Sequence, residues 1–432
     1  QSPTISDLAN SVRVGLCCKG RYRMLIVWLL LIGAGVGFAV AGQVLPTAVV
    51  CLLMQFIFCW NYRKHPLLLV FGVFLMVSFI EVVFAEIFRL DHYFLMVHEW
   101  MPAVLLMQAA ICLPAAIFVV RKQDGPSFSA PRSLSDGVIS LLIIVGFLLV
   151  HFGVQGQSVI GADYETYRQN IAAGSGLIEY LLLYFIFIAS LRKNGFAHYA
   201  FALLLLFYFF KCSVLGFRVQ AIMAGLVFIA SFMGETPPRR MLVFIIFGFL
   251  LALLLGGLKH SGDIIAGAAL LNSGYIQSAH SGSLVSSTNI LGVLDLGWAA
   301  RLQMIFSFLA PFSVFGDDVP WAQPGRYVQN FVPTPGGVLA GVHVYLIAGV
   351  PGVLLLGFLV RAVIKVYIAP PARLDGAVHS VFWGAALVAL CFVPRWALYD
   401  VGNYGFRMVL TYIVLSGLIA LGVFAVRCVR QN

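Results

Sequence analysis

Arg218, Arg326, His343 and Asp400 are the side chains of this 432-residue chain best suited to chemistry on an anionic ligand. A guanidinium is a planar fork that matches the oxygens of a phosphate. An imidazole exchanges a proton near neutral pH, and a carboxylate can accept one. Arg218 lies in KCSVLGFRVQA, where two apolar runs meet in a turn too tight for a solvated loop. Arg326 and Tyr327 lie in PWAQPGRYVQNFVPTPGG, a proline- and glycine-broken lead into an apolar run, with His343 about two helical turns inside it. A histidine in such a run is costly unless paired or hydrated, so it is either a site residue or a packed one with a hydrogen-bond partner. Arg395, Tyr399 and Asp400 share PRWALYDVGNYGFR (394–407) with Tyr404 and Arg407. Aromatic rings beside Arg and Asp suit a sugar platform and equally an interfacial aromatic belt, the belt being the better account of Trp396 and Tyr404. Arg301, Lys211 and Arg168 complete the candidate binding set, each also readable as a snorkelling anchor.

The elements that must position these residues follow from composition. Hydrophobic residues make up 61% of the chain and charged ones 10%, and mean hydropathy is +0.97. Soluble domains carry about 25% charged residues. The chain therefore reads as an all-α integral membrane protein. A helix needs about 20 apolar residues to span. About twelve runs qualify, near 24–42, 44–60, 67–84, 102–120, 137–155, 177–191, 199–215, 219–233, 241–257, 338–360, 377–393 and 406–426.

Charge sets the expected orientation. With both termini cytoplasmic, most of the 27 basic residues fall on the inner side, as the positive-inside rule requires. The net charge of +10 is mostly that bias plus contact with anionic lipid, so membrane lipids are the expected partner, and the charge gives no argument for nucleic acid, which is not expected as one. Residues 1–23 are polar and basic and precede a run long enough to span, which reads as a signal anchor. The cysteines at 17, 18, 51, 59, 112, 212, 391 and 428 fall in spans or on the inner side, without disulfide or zinc spacing.

Residues 1–432 read as one polytopic domain, with a long outer loop at about 258–337 between spans nine and ten. That loop carries Lys259, His260, His280, Arg301, Asp317, Asp318 and Arg326 on the face where cations are normally scarce. Cations there point to an anionic ligand. Residues 301–315 are apolar but short and contain Pro311, so they read as a re-entrant or interfacial helix. Asp317 and Asp318 alone are a weak metal signal, and neither metal nor cofactor is expected.

The arginine turn GFRVQAIMAGL, the long loop, the segment PTPGGVLAGVHVYLIAGVPGVLLLGFL and the late PRWALYD together resemble the Wzy-type oligosaccharide repeat-unit polymerases of O-antigen and exopolysaccharide synthesis. A xanthan-type exopolysaccharide polymerase fits the length. Motif-like matching covers residues 211–230 and 331–360, and the turn reads FRVQ where the family often has a small residue before Arg and Gly after it. The resemblance implies a membrane glycosyltransferase in the bacterial inner membrane, with the long loop periplasmic. Its substrates would be undecaprenyl-pyrophosphate-linked oligosaccharides, and its partners a chain-length co-polymerase and a flippase. Arg218 and Arg326 would then stabilise the diphosphate leaving group, and His343, with Asp400 and Asp317 behind it, would take the acceptor proton. An O-antigen ligase and a lipid-linked oligosaccharide flippase or transporter are the alternatives.

Overall fold

A computed structural model of the chain describes residues 26–89, 98–120, 135–158, 164–191, 196–234, 236–248, 279–294, 296–309, 337–369, 376–397 and 405–431. Among them 87% are helical and none lies in a strand. In chain order the helices are α1 (Ile26–Val40), α2 (Val44–Asn61), α3 (Pro66–Phe88), α4 (Met101–Ala110), α5 (Leu113–Ile117), α6 (Asp136–Gly153), α7 (Tyr164–Leu191), α8 (Phe196–Val214) and α9 (Arg218–Phe232). Next come α10 (238–248), α11 (Ala279–Val293), α12 (Trp298–Leu309), α13 (Ala340–Ile368), α14 (Gly376–Cys391), α15 (Val393–Trp396) and α16 (Arg407–Gln431).

By length and composition, 5 described helices, α2, α3, α6, α8 and α13, can cross a membrane. Leu30, Leu141, Phe152, Phe196, Leu203, Phe210, Leu355 and Leu421 are all exposed, an apolar outer surface far larger than a soluble protein presents. The chain is a membrane-embedded protein, all-helical among its described residues.

Proline decides where two of the expected spans break. The 102–120 run is interrupted at Ile111–Cys112 and resumes as α5. Pro114 has no N–H to give Ala110, and its ring would clash with that carbonyl, so α4 stops at residue 110. The run expected at 338–360 extends through 29 residues as α13, but Gly349, at φ 64 and ψ −156, breaks it just before Pro351. That left-handed φ is one glycine tolerates and a β-carbon does not. Gly349 thus gives α13 a break in its backbone.

Close contacts with α13 lie on both sides of the α4–α5 break. A β-carbon on Gly341 would lie 2.5 Å from the Met107 carbonyl carbon in α4, and one on Gly357 2.8 Å from Pro114 Cδ in α5. Small residues allow this backbone approach, the usual device for helix association in lipid. The end of α2 is tied to α5 by Tyr62, whose hydroxyl donates to Ala115 O at 3.0 Å and accepts from Val120 N–H at 3.1 Å. Phe58, Phe79, Phe185, Phe201 and Tyr208 fill the interior without measurable exposure.

Within the stretch expected as a polar outer loop, the structure contains two helices. α11 is buried against α3, α4 and the 3-10 turn His98–Trp100. Its Ser283, Ser286, Ser287 and Thr288 are wholly inaccessible. α12, inside which the expected 301–315 helix begins, is amphipathic: Met304 is buried while Trp298, Leu302 and Ile305 share an exposed apolar face.

Candidate polar junction at the end of α14

The junction forms around α15. Pro394 lies in the first turn of this four-residue helix, where its missing N–H is no loss. Trp396 locks α15 in place: its Nε1 donates to Ala389 O at 2.8 Å, and its ring lies 6.0 Å from that of Phe71. Arg395, between them, is turned toward α7. Its Nη2 meets Glu179 Oε1 at 2.6 Å, with the two side chains 17% and 4% exposed. The same oxygen accepts from Gln220 Nε2 at 3.3 Å. One carboxylate oxygen thus joins α7, α9 and α15 inside an apolar bundle, where an unpaired charge costs several kcal/mol.

Arg218 opens α9, two residues before Gln220. The turn that delivers it is fixed at each step. Gly216 takes φ 82, Phe217 N–H donates to Cys212 O at 2.8 Å, and Asn170 Nδ2 donates to Leu215 O at 3.1 Å. Asn170 also exchanges hydrogen bonds with the backbone of Gln157, donating at 2.7 Å and accepting at 2.9 Å. Helix α7 therefore anchors the Arg218 turn through Asn170 and the Arg395 guanidinium through Glu179. Beside Glu179, Tyr208 of α8 donates to Ile178 O at 2.8 Å and stiffens that turn.

His343 is carried by α13. Ala340 N–H donates to Ala397 O at 3.2 Å, so the first turn of α13 is fastened to the end of α15. His343 follows three residues later, one turn into the helix rather than two, and is fully buried.

Other sequence candidates have separate surroundings. Lys211 Nζ donates to Val150 O at 2.9 Å and His151 O at 2.6 Å, capping the exposed carbonyls at the end of α6. Arg301 Nε donates to Leu296 O at 2.9 Å, and its guanidinium lies 5.9 Å from the Trp298 ring. Arg168 is on the first turns of α7. Arg326, Tyr327, Tyr399, Asp400 and Asp317 lie outside the described residues. Among the described residues, no group of three or more His, Cys, Asp or Glu could hold a metal ion.

Glu179 and Gln220 are the participants that the sequence analysis passed over. A signal was present: Glu179 is the lone carboxylate in IEYLLLYFIFIAS, and an ionisable residue in an apolar span is expensive unless a partner or a function holds it there. No family model, no curated protein and no solved structure matches the chain.

Proposed function

We propose that the chain polymerises undecaprenyl-pyrophosphate-linked oligosaccharide repeat units at the periplasmic face of the bacterial inner membrane. In this reading about twelve spans return both termini to the cytoplasm. The observation that carries it is the buried junction: Arg395 held on Glu179 in an apolar bundle, beside the helix that opens with Arg218. Fixed guanidinium groups in a dry site stabilise negative charge as it develops, without reorganisation at the moment of reaction.

The chemistry divides among the residues accordingly. A hydroxyl at the non-reducing end of one lipid-linked repeat unit attacks the anomeric carbon of the other chain. The new carbon–oxygen bond forms as the bond to the lipid pyrophosphate breaks, and the electron pair leaves on the phosphate oxygen. Arg218 and Arg395 receive that charge, with Arg326 contributed by the outer loop. His343 accepts the hydroxyl proton, in the range of helix α13 fastened to α15.

The test is reconstitution. Purified protein in lipid vesicles, given lipid-pyrophosphate-linked repeat units, should yield a ladder of glycan lengths on gels. Arg218→Lys keeps the charge but loses the fork, so it should lose nearly as much polymer as Arg218→Ala. His343→Gln should fold and lower turnover by about 10²- to 10⁴-fold, the contribution of a general base. A single transfer onto a lipid acceptor instead of a ladder would identify a ligase. Movement of the lipid-linked unit across the bilayer without bond formation would identify a flippase.

A further inference from the structure

We propose that Glu179 is a positioning residue, setting the Arg395 guanidinium and its spacing from the Arg218-bearing helix. This rests on reading both arginines as ligands of the leaving diphosphate. The geometric basis is that a single atom, Glu179 Oε1, accepts from Arg395 Nη2 at 2.6 Å and from Gln220 Nε2 at 3.3 Å. Arg395 belongs to a helix of four residues, and its side chain has several rotatable bonds. Such an arginine is not held by its own backbone. Glu179 belongs to the 28-residue α7 and is nearly inaccessible, so it provides the rigid reference that the short turn lacks.

Stability alone is a poor reason for the pair. Replacing a buried ion pair by packed apolar groups is often neutral or stabilising, because removing both charges from water offsets most of their attraction. Affinity for an anion is a poor reason too, since a carboxylate beside the arginine repels a diphosphate. Orientation is what the carboxylate supplies. A guanidinium carries donors on more than one edge, so the group that bonds Glu179 can also meet a phosphate oxygen. Through Gln220 the same carboxylate fixes the first turn of α9, and Asn170, further back on α7, holds the turn before it. Charge developing on a leaving diphosphate would then meet two arginines at a fixed separation.

The experiment compares Glu179→Asp, Glu179→Gln and Gln220→Met in the vesicle assay, at equal amounts of folded protein. Asp keeps the charge but withdraws the oxygen by one methylene. It should lower kcat by up to about 10²-fold, the usual penalty for a displacement near 1 Å, with KM for the lipid-linked donor little changed. Gln keeps an acceptor in place and removes the repelling charge, so it should retain more kcat than Asp and leave KM unchanged or lower. Gln220→Met should lower kcat less than Asp does, again with KM unchanged, and it carries the test if either Glu179 variant fails to fold. Wild-type kcat in every folded variant, or losses only in the yield of folded protein, would overturn the inference and leave the polymerase reading intact. Absence of a glycan ladder from the wild-type protein would overturn that reading and the inference with it.

Discussion

Helices α11 and α12 lie close together in sequence, and their composition misrepresents their surroundings in opposite directions. α11 reads AHSGSLVSSTNILGV, with hydroxyl and amide residues on every face, yet it is enclosed by α3 and α4. α12 reads WAARLQMIFSFL, more apolar, yet Trp298 is 82% and Leu302 51% exposed. α11 tolerates burial because its polar groups find partners, most within the helix and one at the start of α13. Thr288 Oγ1 donates toward Val285 O at 3.0 Å, Asn289 Nδ2 donates to Val285 O at 2.8 Å, and Ser287 Oγ accepts from Leu339 N–H at 2.9 Å. α12 tolerates exposure because its apolar face can meet lipid. In a bilayer protein, therefore, polarity does not mark the outside; what matters is whether each polar group finds a partner.

A charge should break that symmetry most severely. Thr288→Lys places an ammonium where no water reaches, at a cost on the order of several kcal/mol. The variant should be lost as monodisperse protein on size-exclusion chromatography in detergent. Leu302→Lys should survive, because an exposed lysine can carry its charge to the headgroups. Equal survival of both would mean that α11 is as open as α12.

A smaller effect should follow from Ser287→Ala. It orphans the Leu339 N–H at the start of α13, and a buried unsatisfied donor costs about 1–3 kcal/mol. A fall in Tm in detergent measures it, and an unchanged Tm would show that another group, or water, reaches Leu339. Because Leu339 immediately precedes the helix carrying His343, the same variant reports on how firmly that helix start is held.

The smallest effect is expected at Arg301→Ala. This side chain gives one bond to Leu296 O and lies over the Trp298 ring, a contact worth about 0.5–1 kcal/mol at an exposed site. Tm should barely move. A drop as large as that of Ser287→Ala would mean that α12 is packed as α11 is, and would erase the distinction between them.

Much of the architecture was legible before any coordinates. Long apolar runs with few charges require helices in lipid, but the runs at 102–120 and 338–360 were each expected as one span, and the breaks before Pro114 and Pro351 are seen only in the structure. Residues 301–315 were expected as a re-entrant or interfacial helix because the run is apolar, short and contains Pro311; residues 301–309 fall in α12, and 310–315 lie outside the described residues. Arg218 and Arg395 were conspicuous as cations at the edges of apolar runs. Lys211 was read as a binding residue or a snorkelling anchor, and its ammonium bonds two carbonyls of α6, because which carbonyls it meets depends on how α6 and α8 cross. The break at Gly349 lies in a dihedral angle that composition does not show.

By itself, the sequence determined the helical class and the membrane embedding. These depend on local quantities: run length and hydropathy. Tertiary structure alone decided that Glu179 would meet Arg395 and Gln220 at one oxygen, and that a polar helix would lie in the interior. Both depend on which faces come together from distant parts of the chain. A carboxylate in an apolar run announces that it needs a partner; only packing supplies one.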